Sequence, residues 1–116
     1  MPVAVARVRH SRGSARKTRL VADLIRGKKV SEARDILRFT VKGCAPELSK
    51  VLESAVANAE SKAAETRTRL NTDDMVIRKL LVDVGATIPR YRAATRGRGV
   101  RIRKRTHHIE LVISSE

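Results

Sequence analysis

The chain has 116 residues, of which 33% are charged and 2% aromatic, and it carries a net charge of +14. That length suits one packed core and excludes two separate ones. The scarcity of aromatic rings excludes the stacking platforms on which sequence-tolerant single-strand binders hold bases, while self-repulsion at this charge calls for a polyanionic partner.

The charge is unevenly placed. Residues 1–29 hold nine basic residues and one acid, residues 30–83 nine of each, and residues 84–116 eight basic residues and two acids. A neutral middle between two basic ends suits a scaffold that presents two charged surfaces. Cys44 stands alone, which rules out an intramolecular disulfide and suits a reducing compartment; it is expected to be an inert thiol. No apolar run has the length of a membrane span, and "MPVAVARVRH" lacks the long apolar core of a secretory signal. The expected location is cytoplasmic.

In chain order, "VAVARV" (3–8) has the β-branched content of a short strand. Ser14 is placed to cap a helix with Leu20, Val21, Leu24 and Ile25 as its apolar stripe, and Gly27 ends it. Arg16, Lys17, Arg19 and Arg26 lie on the other faces of that helix, free to meet a polyanion. Ser31 is placed to cap a second helix, with Glu32 and Asp35 favouring its positive end and Ala33, Ile36, Leu37 and Thr40 facing inward. Pro46 suits the first turn of a third helix, where its missing N–H costs nothing. From there Leu48, Val51, Leu52, Ala55, Val56, Ala59 and Ala63 recur at helical spacing for about four turns. Asn58 sits beside this stripe, where bonding to solvent or nearby backbone is favoured over a competing contact to an RNA hydroxyl.

"TRTRLNTDD" is turn material, in which Asp73 and Asp74 cap or terminate structure. The following strand places Val76, Leu80, Val82 and Val84 at even positions, with Arg78 as the exception. Further on, Val100 and Ile102 are even but Ile109, Leu111 and Ile113 are odd. Side chains alternate with period two along a strand, so this change of phase requires a break between 102 and 109, or a segment that does not pack on the core. A ribbon projecting from the domain has no buried face and satisfies the second condition.

Between Thr87 and Thr106 stand Arg90, Arg92, Arg96, Arg98, Arg101, Arg103, Lys104 and Arg105, with no acid among them. Regular alternation puts Arg101, Arg103 and Arg105 on one face and Arg96, Arg98 and Lys104 on the other, so both faces can meet phosphate. Arginine suits this because its planar fork bonds phosphate bidentately and stays charged. Gly97 and Gly99 permit unusual backbone angles and close approach. His107 and His108 are adjacent and point to opposite faces of a strand, and no metal site is expected from them. The chain shows no nucleophile motif, no phosphate cradle of the G-x-x-x-x-G-K-[ST] type and no acidic set to hold magnesium. Neither catalysis nor a cofactor is expected.

The stretches "SARKTRLVADLIRGKKV" (14–30), "VLESAVANAE" (51–60), "LVDVGATIPRYRAATRGRGVRIRKRTHHI" (81–109) and the closing "LVIS" resemble, in order, the bacterial-type twenty-second protein family of the large ribosomal subunit. The resemblance implies an α+β fold: three helices on a small three-stranded antiparallel sheet, within a single domain spanning 1–116, with a protruding hairpin at about 84–106. It also implies a structural protein that binds 23S rRNA in early subunit assembly beside neighbouring ribosomal proteins. It is not expected to be a homo-oligomer. By position, Ile88, Pro89, Arg90, Tyr91 and Arg92 correspond to a hairpin tip that lines the nascent-peptide exit tunnel and meets the nascent peptide. The chain departs from the family pattern at "VGA" (84–86), where "EGP" is common, at Ala93 and Ala94, where a Pro-Arg pair is common, and in the connection "VKGCAPELS".

The residues expected to contact RNA are Arg12, Arg16, Lys17, Arg19, Arg26, Lys28 and Lys29 at the N-terminal end, and Arg96, Arg98, Arg101, Arg103, Lys104, Arg105 and His107 in the ribbon and its root. The competing interpretation is a DNA-bending architectural protein with basic β-arms, which would be dimeric and prefer bent duplex.

Overall fold

The computed structural model describes residues 3–67, 69–93 and 95–115. Its elements are β1 (Val3–Arg12), α1 (Ala15–Ile25), α2 (Val30–Phe39), α3 (Ala45–Thr66), a 3-10 turn (Thr72–Asp74), β2 (Val76–Val84), β3 (Ile88–Ala93), a second 3-10 turn (Thr95–Gly97), β4 (Gly99–Lys104) and β5 (Thr106–Ser114). β1, β5 and β2 form an antiparallel sheet in that spatial order, with β5 in the centre, while β3 and β4 pair only with each other. This is the expected α+β arrangement.

The helices cover one face of the sheet. Ala4 and Ala6 of β1, Ile77, Leu80 and Val82 of β2, and Ile109, Leu111 and Ile113 of β5 meet the apolar stripe of α3 and the inner faces of α1 and α2 in one buried cluster. In α3 that stripe is the expected one from Leu48 to Ala59, with Ala63 half-buried. Pro46 stands in the first turn as anticipated. The opposite face of the sheet is open to solvent and carries the Arg7–Glu110 ion pair at 3.1 Å.

Several sequence expectations shift by one position. In α1 the buried residues are Ala15, Thr18, Val21, Ala22 and Ile25, whereas Leu20 and Leu24 are 61% and 51% exposed. The small Ala22 and Thr18, and not the longer leucines, stand on the face turned to the core. Thr18 hides its hydroxyl by donating to the Ser14 carbonyl at 3.0 Å. Ser14 occupies the N-cap position, but its side chain makes no capping bond. α2 begins at Val30, with Lys29 rather than Ser31 at its N-cap, because the Val30 amide is already bonded to the Met75 carbonyl at 2.8 Å. Gly27 ends α1 as expected, adopting φ +81.

In β2 a bulge between Ile77 and Lys79 shifts the alternation, so Ile77 and Leu80 are both buried and Arg78 faces out; Val84 keeps the phase of Leu80 and Val82 but stands at the end of the strand and is 67% exposed. The irregularity seen at Arg78 in the sequence is this bulge. Arg34 ties α2 to α3 and to the first 3-10 turn, bonding Glu53 at 2.7 Å and Asp73 at 2.7 Å. The hydrogen bond that Arg34 donates to Glu53, with smaller help from Asp73, raises its already high pKa.

Side chains from the helices occupy both outer edges of the sheet. Asn58 and Lys62 of α3 donate to the Val5 and Val3 carbonyls of β1, each at 2.9 Å. Arg19 of α1 donates to the Val82 carbonyl of β2 at 2.9 Å, and Arg26, just beyond α1, donates to Leu80 through Nη2 at 2.8 Å and Nε at 3.3 Å. An exposed edge is a template for further strand pairing, and these donors occupy it.

Candidate RNA interface

The ribbon leaves the domain at a joint built by local chemistry. β2 ends at Val84 and β5 begins at Thr106, so the phase change in the sequence falls at Arg105, between β4 and β5. Three bonds pin this joint: the Gly85 amide to the Thr106 carbonyl at 2.9 Å, the Gly13 amide to the Arg105 carbonyl at 3.0 Å, and the Thr106 hydroxyl to the Ala86 carbonyl. Gly85 is required there, since a Cβ would stand 2.6 Å from Thr106 Oγ1.

Beyond the joint, β3 and β4 run in register from Ile88 opposite Lys104 to Ala93 opposite Gly99. The turn lies farther out, where Arg96 and Gly97 adopt left-handed φ of 63 and 71. Ile88, Pro89, Arg90, Tyr91 and Arg92 therefore form the outgoing strand of the hairpin, and the turn that ends it comes later. The departure at Ala94 lies outside the described residues. The projection stretches the molecule to 66 Å along its longest axis, with a radius of gyration of 17.5 Å, against about 13 Å for a compact chain of this length.

Residues directly opposite in an antiparallel pair share a face. One face of the hairpin carries Pro89, Tyr91, Arg101 and Arg103; the other carries Arg90, Arg92 and Lys104 with Ile88, Val100 and Ile102 between them. Arg101 and Arg103 thus share a face as expected and Lys104 faces the other way, but Arg105 lies at the joint, and Arg96 and Arg98 lie in or beside the turn. All eight cations are exposed. Apart from an Arg90 bond to its neighbour's carbonyl, these eight side chains donate to no protein group among the described residues. Tyr91 is 78% exposed. A ribbon with cations on both faces and no counter-charge suits surroundings of phosphate on both sides.

The N-terminal basic residues divide into two groups. Arg12 at the end of β1, Arg16 and Lys17 in the first turn of α1, and Lys28 and Lys29 in the turn after it are exposed. Arg19 and Arg26 spend donors on the edge of β2, and Arg26 also pairs with Asp23. His107 is only 1% exposed and stands apart from the open basic surfaces: its ring lies under Gly13, beside Glu47, where it lines a pocket. Alternation along β5 was the available signal, because His107 shares the odd phase of Ile109, Leu111 and Ile113, all buried. Lys42, which sequence reasoning passed over within the neutral middle segment, joins Arg12 and Lys17 around one pocket. Its adjacency to Gly43 at a helix connection was the available sign.

The described residues contain no group of three or more His, Cys, Asp or Glu side chains placed to hold a metal, and no helix is long and apolar enough to cross a membrane. Residues 6–114 of this chain match the family model described as ribosomal protein L22p/L17e. That match covers nearly the whole chain, both basic regions and the hairpin, and so the protein belongs to the ribosomal protein L22p/L17e family, structural, RNA-binding components of the large ribosomal subunit in the cytoplasm.

Proposed function

We propose that the protein binds 23S rRNA early in assembly of the large subunit, acts there as a single domain without catalysis, and threads its hairpin through RNA to the nascent-peptide exit tunnel. The observation that carries this reading is the hairpin itself. It leaves the core at Gly85 and Arg105, presents cations on both faces and buries little of itself against the domain. Such a ribbon gains its stabilisation from a polyanion that surrounds it, since the domain supplies neither counter-charge nor an apolar seat.

In this reading Arg12, Arg16, Lys17, Lys28 and Lys29 hold RNA on the domain, while Arg96, Arg98, Arg101, Arg103, Lys104 and Arg105 hold it along the ribbon. Arg19 and Arg26 contribute chiefly by closing the edge of β2. The far end of the hairpin, reached along Ile88 to Arg92, lines the tunnel and meets the nascent peptide. Neighbouring ribosomal proteins complete its surroundings, and no second copy of the chain is required.

The experiment is sedimentation of the tagged protein with large subunits through a high-salt wash, followed by crosslinking from a photoreactive residue at position 91. Retention after the wash and a crosslink to nascent peptide support the proposal. A chain that washes off, dimerises and prefers bent duplex DNA to large-subunit RNA fragments at matched salt would establish the architectural DNA-binding alternative instead.

A further inference from the structure

A pocket of about 360 Å³ lies on the domain, away from the hairpin turn, where the β1–α1 turn faces the start of α3. We propose that it is a dedicated site for one phosphate group, filled in the assembled state by a single phosphodiester of the RNA backbone; this rests on the RNA-binding reading above and narrows it to one contact.

Two helices begin at this pocket. α1 starts after Ser14 and α3 after Cys44, and neither N-cap side chain bonds the first-turn amides. The positive ends of both helix dipoles form a ready seat for an anion; in α3 the Ala45 amide already bonds the Lys42 carbonyl and Pro46 has no N–H, so the amide donors come chiefly from the first turn of α1. Arg12, Lys17 and Lys42 line the same pocket. The opposing charge there is Glu47, so the cations outnumber the acid.

The floor of the pocket is His107, which is 1% exposed. Its Nε2 lies 3.2 Å from Glu47 Oε1, the separation of an ion pair, but the contact lacks hydrogen-bond geometry, and neither imidazole nitrogen has a hydrogen-bond partner among the described residues. A buried polar group without a partner costs stability unless a ligand supplies one. Glu47 occupies the Nε2 side, which leaves Nδ1 on the side of Gly13. A Cβ at Gly13 would stand 3.0 Å from the imidazole Cε1 and 3.5 Å from Nδ1, and the φ of +145 there is itself unfavourable for any other residue. Gly13 therefore keeps open the space between the imidazole and the start of α1. The imidazole, standing between Glu47 and a phosphate oxygen, has one ring nitrogen on the side of each, with Arg12, Lys17 and Lys42 around the remaining oxygens.

The test is nitrogen-15 NMR of the full chain at moderate salt, titrated with inorganic phosphate, with a short single-stranded RNA, and with the same oligonucleotide carrying an uncharged methylphosphonate backbone. The expected result is movement of the Gly13, Ala15, Arg16 and Glu47 amides and of the His107 imidazole with RNA, a weaker response to inorganic phosphate, and none to the neutral backbone. Replacing Lys17 and Lys42 together with Gln, both exposed and outside the core, should weaken the response at these amides and reduce the salt slope of RNA binding by about one unit, the equivalent of one phosphate. A response to inorganic phosphate with none to RNA would assign the site to a free anion. If the hairpin amides move with RNA while the pocket amides stay still, the pocket proposal falls and RNA binding stands. If neither region responds to RNA, the RNA-binding reading falls with it.

Discussion

Arg26 separates two uses of a basic residue that look identical in sequence. Its guanidinium donates twice to the Leu80 carbonyl on the outer edge of β2 and also pairs with Asp23. A hydrogen bond from a charged donor contributes about 1.5–3 kcal/mol when buried. The Arg26 side chain is 42% exposed, so solvent screens the bond and lets water replace part of it, leaving about 1–2 kcal/mol. For a domain of this size that corresponds to a fall in Tm of about 4–8 °C. Arg26→Gln should therefore melt earlier by that margin, read by far-ultraviolet circular dichroism at matched salt. Arg26→Lys keeps the charge but offers one compact ammonium in place of the planar fork, and should lose much of the same stability. Arg16→Gln, exposed in the first turn of the same helix, should stay within about 0.5 kcal/mol of the parent protein and instead lower the salt slope of RNA binding by about one unit. An Arg26→Gln protein with unchanged Tm and a salt slope reduced as much as that of Arg16→Gln would refute the edge-closing role and return Arg26 to the RNA-contacting set.

On the hairpin the expectation is reversed. Replacing Arg101, Arg103 and Lys104 together with Gln should lower the slope of log affinity against log salt by about two to three units while Tm stays within about 2 °C, because these side chains make no bond to the domain and the slope counts phosphate contacts; a titration with large-subunit RNA fragments reads the first and a melt the second. Gly85→Ala should displace Thr106 and loosen the joint, at a cost of about 1–3 kcal/mol. Amide hydrogen exchange should show faster exchange at Gly85 and Gly13, the two donors that pin the ribbon, with the centre of α3 protected until global unfolding.

Much of the architecture was legible from local patterns. The stripe from Leu48 to Ala59, Pro46 at the start of α3 and Gly27 at the end of α1 follow from helical periodicity and from backbone preferences, which act over a few residues and need no partner. The hairpin was legible for a related reason: a change of apolar phase between Ile102 and Ile109, together with eight cations and no acid, is incompatible with a strand buried along its whole length. The site was only partly legible, because the same residue type serves different ends. Nothing local distinguishes Arg26, bonded to an edge carbonyl more than fifty positions away in the chain, from Arg16, which faces solvent.

Charge distribution and hydrophobic period thus determined by themselves that this chain makes a helix-backed domain with a basic ribbon and a polyanionic partner, since both are sums over neighbouring residues. Only tertiary structure decided which helical face is buried, where the hairpin turns, and that Arg19 and Arg26 are drawn to the edge of β2 while Lys42 joins Arg12 and Lys17 at a pocket over His107. Those outcomes depend on how closely α1 approaches β2 and on the β1–α1 turn closing over β5, contacts between segments far apart in sequence that no local pattern encodes.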